Sequence, residues 1–297
     1  MARAAATAAP RPSWSERLGA RGRWLRRHPL ILTGLVLLGL MLLVAIASPL
    51  FATHDPIRLN PTRRIRPPSA EHWFGTDHLG RDVYSRVIYG SRISLFVGFS
   101  VALLSTVLGL AIGLVTGFIR RLDAVVMRIM DGLMAIPAIL LAIALISLSR
   151  SRIRTVIIAV TVPEVPRVVR LVRGVVLTLR DQLFVDAAVS RGARLPRILG
   201  FHIMPNAVAP LIVQATYVCA SAIIIEAILS FLGAGTPPDI PSWGNIMAEG
   251  RTYVMVAPWI VLFPGVFLTL VVLAVNLLGD GLRDTLDPRL RRSTGSL

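Results

Sequence analysis

The amino-acid sequence predicts an all-α polytopic membrane protein with six transmembrane helices, on three observations. Of its 297 residues 54% are hydrophobic and only 16% charged, a mean hydropathy of +0.69 that ordinary water-soluble proteins do not reach. Uncharged or nearly uncharged runs of twenty residues and more recur along the chain, each long enough to cross a hydrocarbon core of ~30 Å at helical rise. The arginines concentrate in the segments between those runs.

Residues 30–51, LILTGLVLLGLMLLVAIASPLF, carry no charge and are read as transmembrane helix 1, behind a polar tail at 1–29. The basic flank RGRWLRRHP and the AIAS near the end would also suit a cleaved signal peptide. The run exceeds the ~7 to 15 residues of a signal core, so an uncleaved anchor is expected. Residues 52–87 form a polar loop with Pro56, Pro61, Pro67 and Pro68. Further spans are predicted at 93–119, 129–148, 153–179, 207–233 and 254–279, giving a core of five helices over 88–282 and a C-terminal tail at 283–297. The weakest is VIIAVTVPEVPRVVRLVRGVVLTL, which holds Glu164, Arg167, Arg170 and Arg173. Arginines at every third position lie along one slowly drifting stripe of a helix, leaving Val168, Val169, Val172 and Val176 for other faces.

Every one of the 32 basic residues is arginine. With the N-terminus inside, eighteen fall in cytoplasmic segments and ten in outer ones, so both termini are expected in the cytoplasm. A formal charge of +16 could signal nucleic acid, but arginines that flank apolar spans have membrane lipid headgroups as their nearer partner; no nucleic-acid partner is expected. The single Cys219 excludes an intramolecular disulfide and a cysteine metal cluster.

One segment interrupts this pattern. DAAVSRGARLPRILGFHIMPNAVAPLI begins at Asp186 on the predicted cytoplasmic side and carries three arginines between two apolar runs. The spacing of Asp186, Ala187, Ala188, Gly192 and Pro205 predicts a short helix, a glycine break, a second short helix and a proline at the start of span five. On composition alone it could be an amphipathic loop resting on headgroups.

The pattern of an acid followed by Ala-Ala, a glycine and a Met-Pro 12 and 13 positions after that glycine resembles the EAA loop of bacterial ABC importer permeases. FGTDHLGRDVYSRVIYGSRISL, PRVVRLVRG, EAILSFLGAGTPPDIPSWGNIMAEGR and NLLGDGLRDTLDPRLR, in that order over residues 72 to 290, resemble the C-type permease subunit of dipeptide, oligopeptide and nickel importers. Asp186 stands where the loop's name has Glu, His202 and Met204 where the broad motif has Ile and Leu, Val165 and Val168 where aromatics are common, and SRSRIR replaces a glycine-rich turn.

The resemblance implies the six-span architecture of a type I ABC importer permease in the bacterial cell membrane, carrying short peptides, or within the same family a nickel chelate. It implies a cytoplasmic coupling loop at 180–205 in which Asp186, Ala187, Ala188, Gly192 and Pro205 meet the ATPase. The partners it implies are a second homologous permease subunit, two ATP-binding subunits or domains, and an extracytoplasmic solute-binding protein. No cofactor is expected on this chain, with ATP and Mg held by the partner subunits.

The residues agree independently on the energy source. A phosphate-binding loop needs a lysine after its glycines, and this sequence has none. No Ser-His-Asp or Cys-His grouping appears at a catalytic spacing, so the chain is not expected to be an enzyme; a membrane-bound hydrolase using His72 and Asp77 would have to be detected by altered solute. His54, His72 and His78 share the first loop with Asp55, Asp77 and Asp82, donors that could ligate a metal. The H..GTD..GRD pattern belongs to peptide and nickel members alike, so these residues are read as loop structure and no metal is expected.

Two ionisable groups at membrane depth are candidates for the translocation path or its gate: Arg167, and Glu226, which lies ~31 Å along a helix begun at Pro205, near the outer interface. Arg173 is close enough to the inner end to snorkel. In the rival class, a proton-coupled secondary carrier, Glu226 or Glu164 would titrate; no two-half similarity supports it.

Overall fold

The computed structural model describes residues 28–148 and 153–286; most of both expected tails, and the first four residues of the SRSRIR turn, lie outside the described residues. Helix α1 (Pro29–Ile46) begins on a proline whose fixed φ suits the first helical position, and a single turn, α2 (Ser48–Phe51), continues it. The next helix, α3, is 36 residues long (Val83–Phe118). It starts ten residues before the predicted boundary because Asp82 caps it, the carboxylate accepting the Ser85 backbone N–H at 2.8 Å.

Helices α4 (Arg120–Ala135) and α5 (Ala138–Ser147) meet at Pro137, which bars the helical conformation at Ile136; the two axes differ by 91°. The predicted span at 129–148 is therefore a bent pair. Helix α6 (Ile153–Arg180) follows, then α7 (Leu183–Ser190), the one-turn α8 (Leu195–Arg197), a π-helical turn (Ile198–Ile203) and α9 (Met204–Phe231). A short α10 (Trp243–Gly250) precedes α11 (Trp259–Leu286).

Among the described residues four helical stretches are long and apolar enough to cross a membrane, at 29–46, 83–118, 195–231 and 259–286, and five if the bent pair counts as one. Of the six transmembrane helices expected, four or five are thus seen as apolar spans. Helix α6 has the length, at 28 residues, but Glu164 and its arginines remove it on composition.

Small residues set the helix spacing. Gly109, Gly113 and Gly117 of α3 lie against Val168, Val172 and Val176 of α6; a Cβ on Gly113 would stand 2.7 Å from the Val172 Cβ and 2.9 Å from the Val169 carbonyl oxygen. Such close approach yields dispersion contact where lipid offers no hydrophobic drive for helices to associate. Those valines are buried, while Arg170 and Arg173 turn to Asp131 and Asp123 of α4. The faces of α6 divide as the three-residue spacing predicts.

Candidate functional site

The loop between α6 and α9 is built around one glycine. At the end of α7 the Gly192 N–H bonds the Val189 carbonyl at 2.8 Å and the Ala193 N–H reaches back to Ala188 at 3.0 Å, the paired bonds of a Schellman cap. That cap needs the φ of +74° that Gly192 adopts. Val185 and Ala188 turn inward, whereas Asp186 and Ala187 are exposed. Asp186 lies in the first turn of α7, where the helix dipole favours an anion. Pro205 occupies the first turn of α9. Leu183 (86% exposed), Phe201 (77%) and Val189 (52%) project from the same segment.

Glu226 is fully buried. Its Oε1 accepts from Ser230 at 2.8 Å and from Thr236 at 3.5 Å, and its Oε2 from Ser94 of α3 at 3.3 Å. The segment after α9 folds back over it: Asn245 Nδ2 donates to the carbonyls of Thr236, Pro237 and Ile240, and the Trp243 indole N–H donates to the Val87 carbonyl at 3.0 Å. Arg167 is about half exposed and stands 3.5 Å from the buried Glu164 carboxylate, which accepts from Ser221 of α9 at 2.9 Å.

Sequence reasoning missed a cluster on the predicted outer side. The Asp77 carboxylate accepts from Arg81 Nε at 2.7 Å, Arg86 Nη1 at 2.5 Å and the backbone N–H groups of Arg81 and Leu79. Glu249 of α10 completes it, bonding Arg86 Nη1 at 2.7 Å and Arg81. Burial alone would raise the Asp77 pKa; Arg86, Arg81 and the backbone donors outweigh it and hold the carboxyl below its usual range. The only advance signal was the acid-rich GRD spacing, which does not reveal Glu249 some 170 positions away.

His72 Nδ1 lies 2.8 Å from Asp82, and the His78 ring stacks on Tyr253. Two groups bring three potential metal donors together, His54 with Glu71 and His72, and Asp77 with His78 and Glu249. In each a guanidinium already supplies the positive charge: Arg63 on Glu71, and Arg81 and Arg86 on Asp77 and Glu249.

Residues 95–292, about two thirds of the chain, match the family model described as binding-protein-dependent transport system inner membrane component. The chain belongs to that family. Residues 22–68 match a second model, the N-terminal transmembrane domain of oligopeptide transport permease C. The chain is 51% identical to a probable peptide ABC transporter permease protein of Sinorhizobium fredii over 90% of its own length and 91% of the relative's. It is 42% identical to the dipeptide transport system permease protein DppC of Alkalihalophilus pseudofirmus and 40% to the oligopeptide transport system permease protein OppC of Bacillus subtilis, each over 90% of this chain and 88% of the relative. Its fold is similar to a chain of the MetNI methionine ABC transporter in an inward-facing conformation, with TM-score 0.57 at 21% identity, covering 68% of this chain and 96% of that one. As a family member this chain is a non-catalytic transport component of the membrane.

Proposed function

We propose that this chain is a six-span permease subunit of an ATP-driven importer for short peptides in the bacterial cell membrane, with both termini in the cytoplasm. The observation that carries the coupling role is the loop at 180–205, where Asp186 and Ala187 are exposed beside projecting apolar side chains on a helix closed by Gly192. Exposed apolar groups on a short rigid helix suit a cleft on a protein partner better than water. The peptide cargo is proposed from the names of the relatives.

The sixth span is α6. Arg167, Arg170 and Arg173 pair with Glu164, Asp131 and Asp123 and its valines are buried against α3, so it can cross inside a bundle where an isolated helix of that composition would not. The working complex has a second homologous permease, two ATP-binding subunits and an extracytoplasmic binding protein. ATP-driven closure of the ATPases moves the loop, and the helices alternate between inward and outward openings. Arg167 borders the solute path, and Glu226 locks the outer end of α9 to the segment that folds over it.

Reconstitution in liposomes tests the energy source. Uptake should require enclosed ATP together with the ATPases, and the chain alone should hydrolyse none; gradient-driven uptake by this chain without an ATPase would overturn the proposal. Orientation is tested in a Cys219→Ser background, where Arg58→Cys and Ser69→Cys should react with an impermeant thiol reagent added outside. Labelling only after the membrane is broken inverts the topology.

A further inference from the structure

The two sides of α9 differ sharply in chemistry. On one, Leu211, Ile212 and Cys219 meet Leu38, Phe99 and Leu103 in a groove of about 350 Å³ that is almost wholly apolar. On the other, a groove of about 490 Å³ between α6, α9 and α11 has a largely apolar lining, Leu171, Pro210 and Leu286 among it, to which Gln214, Tyr217 and Arg283 add polar groups. At its edge the Tyr217 hydroxyl donates to Asp280 Oδ1 at 2.5 Å, and Arg283, three residues on along the same face of α11, neighbours the same hydroxyl. One turn of α9 beyond Tyr217, Ser221 donates to Glu164, which the half-exposed Arg167 also neighbours. Polar groups thus form a column on this side of α9, and the groove on its other side is apolar.

We propose that the groove holding Gln214, Tyr217 and Arg283 is this subunit's share of the inner half of the solute route, and that Asp280 at its edge and Arg283 contact the charged ends of a zwitterionic peptide in transit. This rests on the function and orientation proposed above. Asp280 and Arg283 stand at the inner end of α11, and the same side of α9 carries Glu164 and the half-exposed Arg167 at mid-helix depth; ionised groups there are strongly disfavoured against hydrocarbon, so this side borders water, while the apolar groove opposite borders lipid. Asp280 suits the peptide's ammonium and Arg283 its carboxylate, with the Tyr217 hydroxyl between them to take over a hydrogen bond as the solute passes. The assignment brings α11 into the path beside Arg167 of α6 and gives the NLLGDGLRD stretch a role.

The test uses the complete transporter in inside-out vesicles with Cys219→Ser. Gln214→Cys and Leu171→Cys should react with a charged methanethiosulfonate added at the cytoplasmic face, and Ile212→Cys and Leu103→Cys should not. No reaction at 214 and 171, as a lipid or dry subunit contact would give, overturns the assignment, and so does equal reaction at all four. For transport, Arg283→Gln should raise KM about tenfold, the loss of one charged hydrogen bond, for peptides with a free carboxylate and leave C-terminally amidated ones unchanged. Asp280→Asn should do the same for free against acetylated N-termini, and Arg283→Lys should restore most of the loss. A fall in kcat alike for all these peptides marks a structural tie between α9 and α11 and overturns the solute contact. A wild-type complex that carries no peptide counts against the proposed cargo, while the labelling pattern still decides the groove.

Discussion

Asp186→Lys and Gly192→Leu should each reduce peptide uptake to background while the complex still inserts, assembles and hydrolyses ATP. Gly192 sits at φ +74°, yet a Cβ there would meet nothing within 4 Å. The substitution therefore costs about 1–2 kcal/mol of backbone strain and no clash, enough to release the cap that sets α7 against α8 but not to unfold the bundle. Reversing the charge of the exposed Asp186 opposes the α7 dipole by ~0.3–1 kcal/mol, again too little to matter for folding. Loss of uptake in both variants must then arise where the loop meets its partner. Gly200→Ala, in the same segment with open space around it and no positive φ, should leave uptake near normal. Uptake in cells and ATPase rate of the purified complex are measured together; wild-type uptake in both variants removes the coupling assignment.

How much of this was legible in the sequence depends on whether the determinant is local. The helix, glycine break and proline of the loop follow from rules that span a few residues, and Gly192 and Pro205 stand at the turn and the helix start that their types demand. The arginine stripe of α6 was read from its own spacing. What it bonds to, Asp123 and Asp131, was not, since no periodicity links positions some 40 to 50 residues apart. The bend between α4 and α5 was written in Pro137, but a hydropathy window averages across it and returns one straight span. Counting helical rise places Glu226 near the outer interface. It is sealed from water there because residues 233–245 return over α9, a contact between segments that rise along one helix cannot foresee. The same holds for Asp77, whose partner Glu249 comes from α10.

Asp77→Ala should cost about 3–5 kcal/mol, since removing one partner of a buried ion pair leaves the other charge uncompensated. Arg86 is 1% exposed and Arg81 8%; without Asp77 both guanidiniums depend on Glu249, whose side chain is 20% exposed and is better solvated. Asp77→Asn keeps the shape and an acceptor for the Leu79 and Arg81 N–H groups, so it should lose less. Asp77→Leu combined with Arg86→Met should recover part of the loss, because an apolar pair leaves no unpaired charge at that position. The pH dependence has a definite sign. A carboxyl held below its unfolded value contributes stability fully present above that value, near 4, and lost as pH falls through the lowered folded one. Lowering outer pH from about 7 to 5 should therefore leave this contribution untouched in the wild type. Thermal unfolding of the purified complex reads the stability, and outer-face proteolysis within 52–87 reads the fastening of the loop to α10. A wild-type melting temperature and cleavage pattern in Asp77→Ala would show that the cluster does not hold the outer segment, and the early start of α3 would then rest on the Asp82 cap alone.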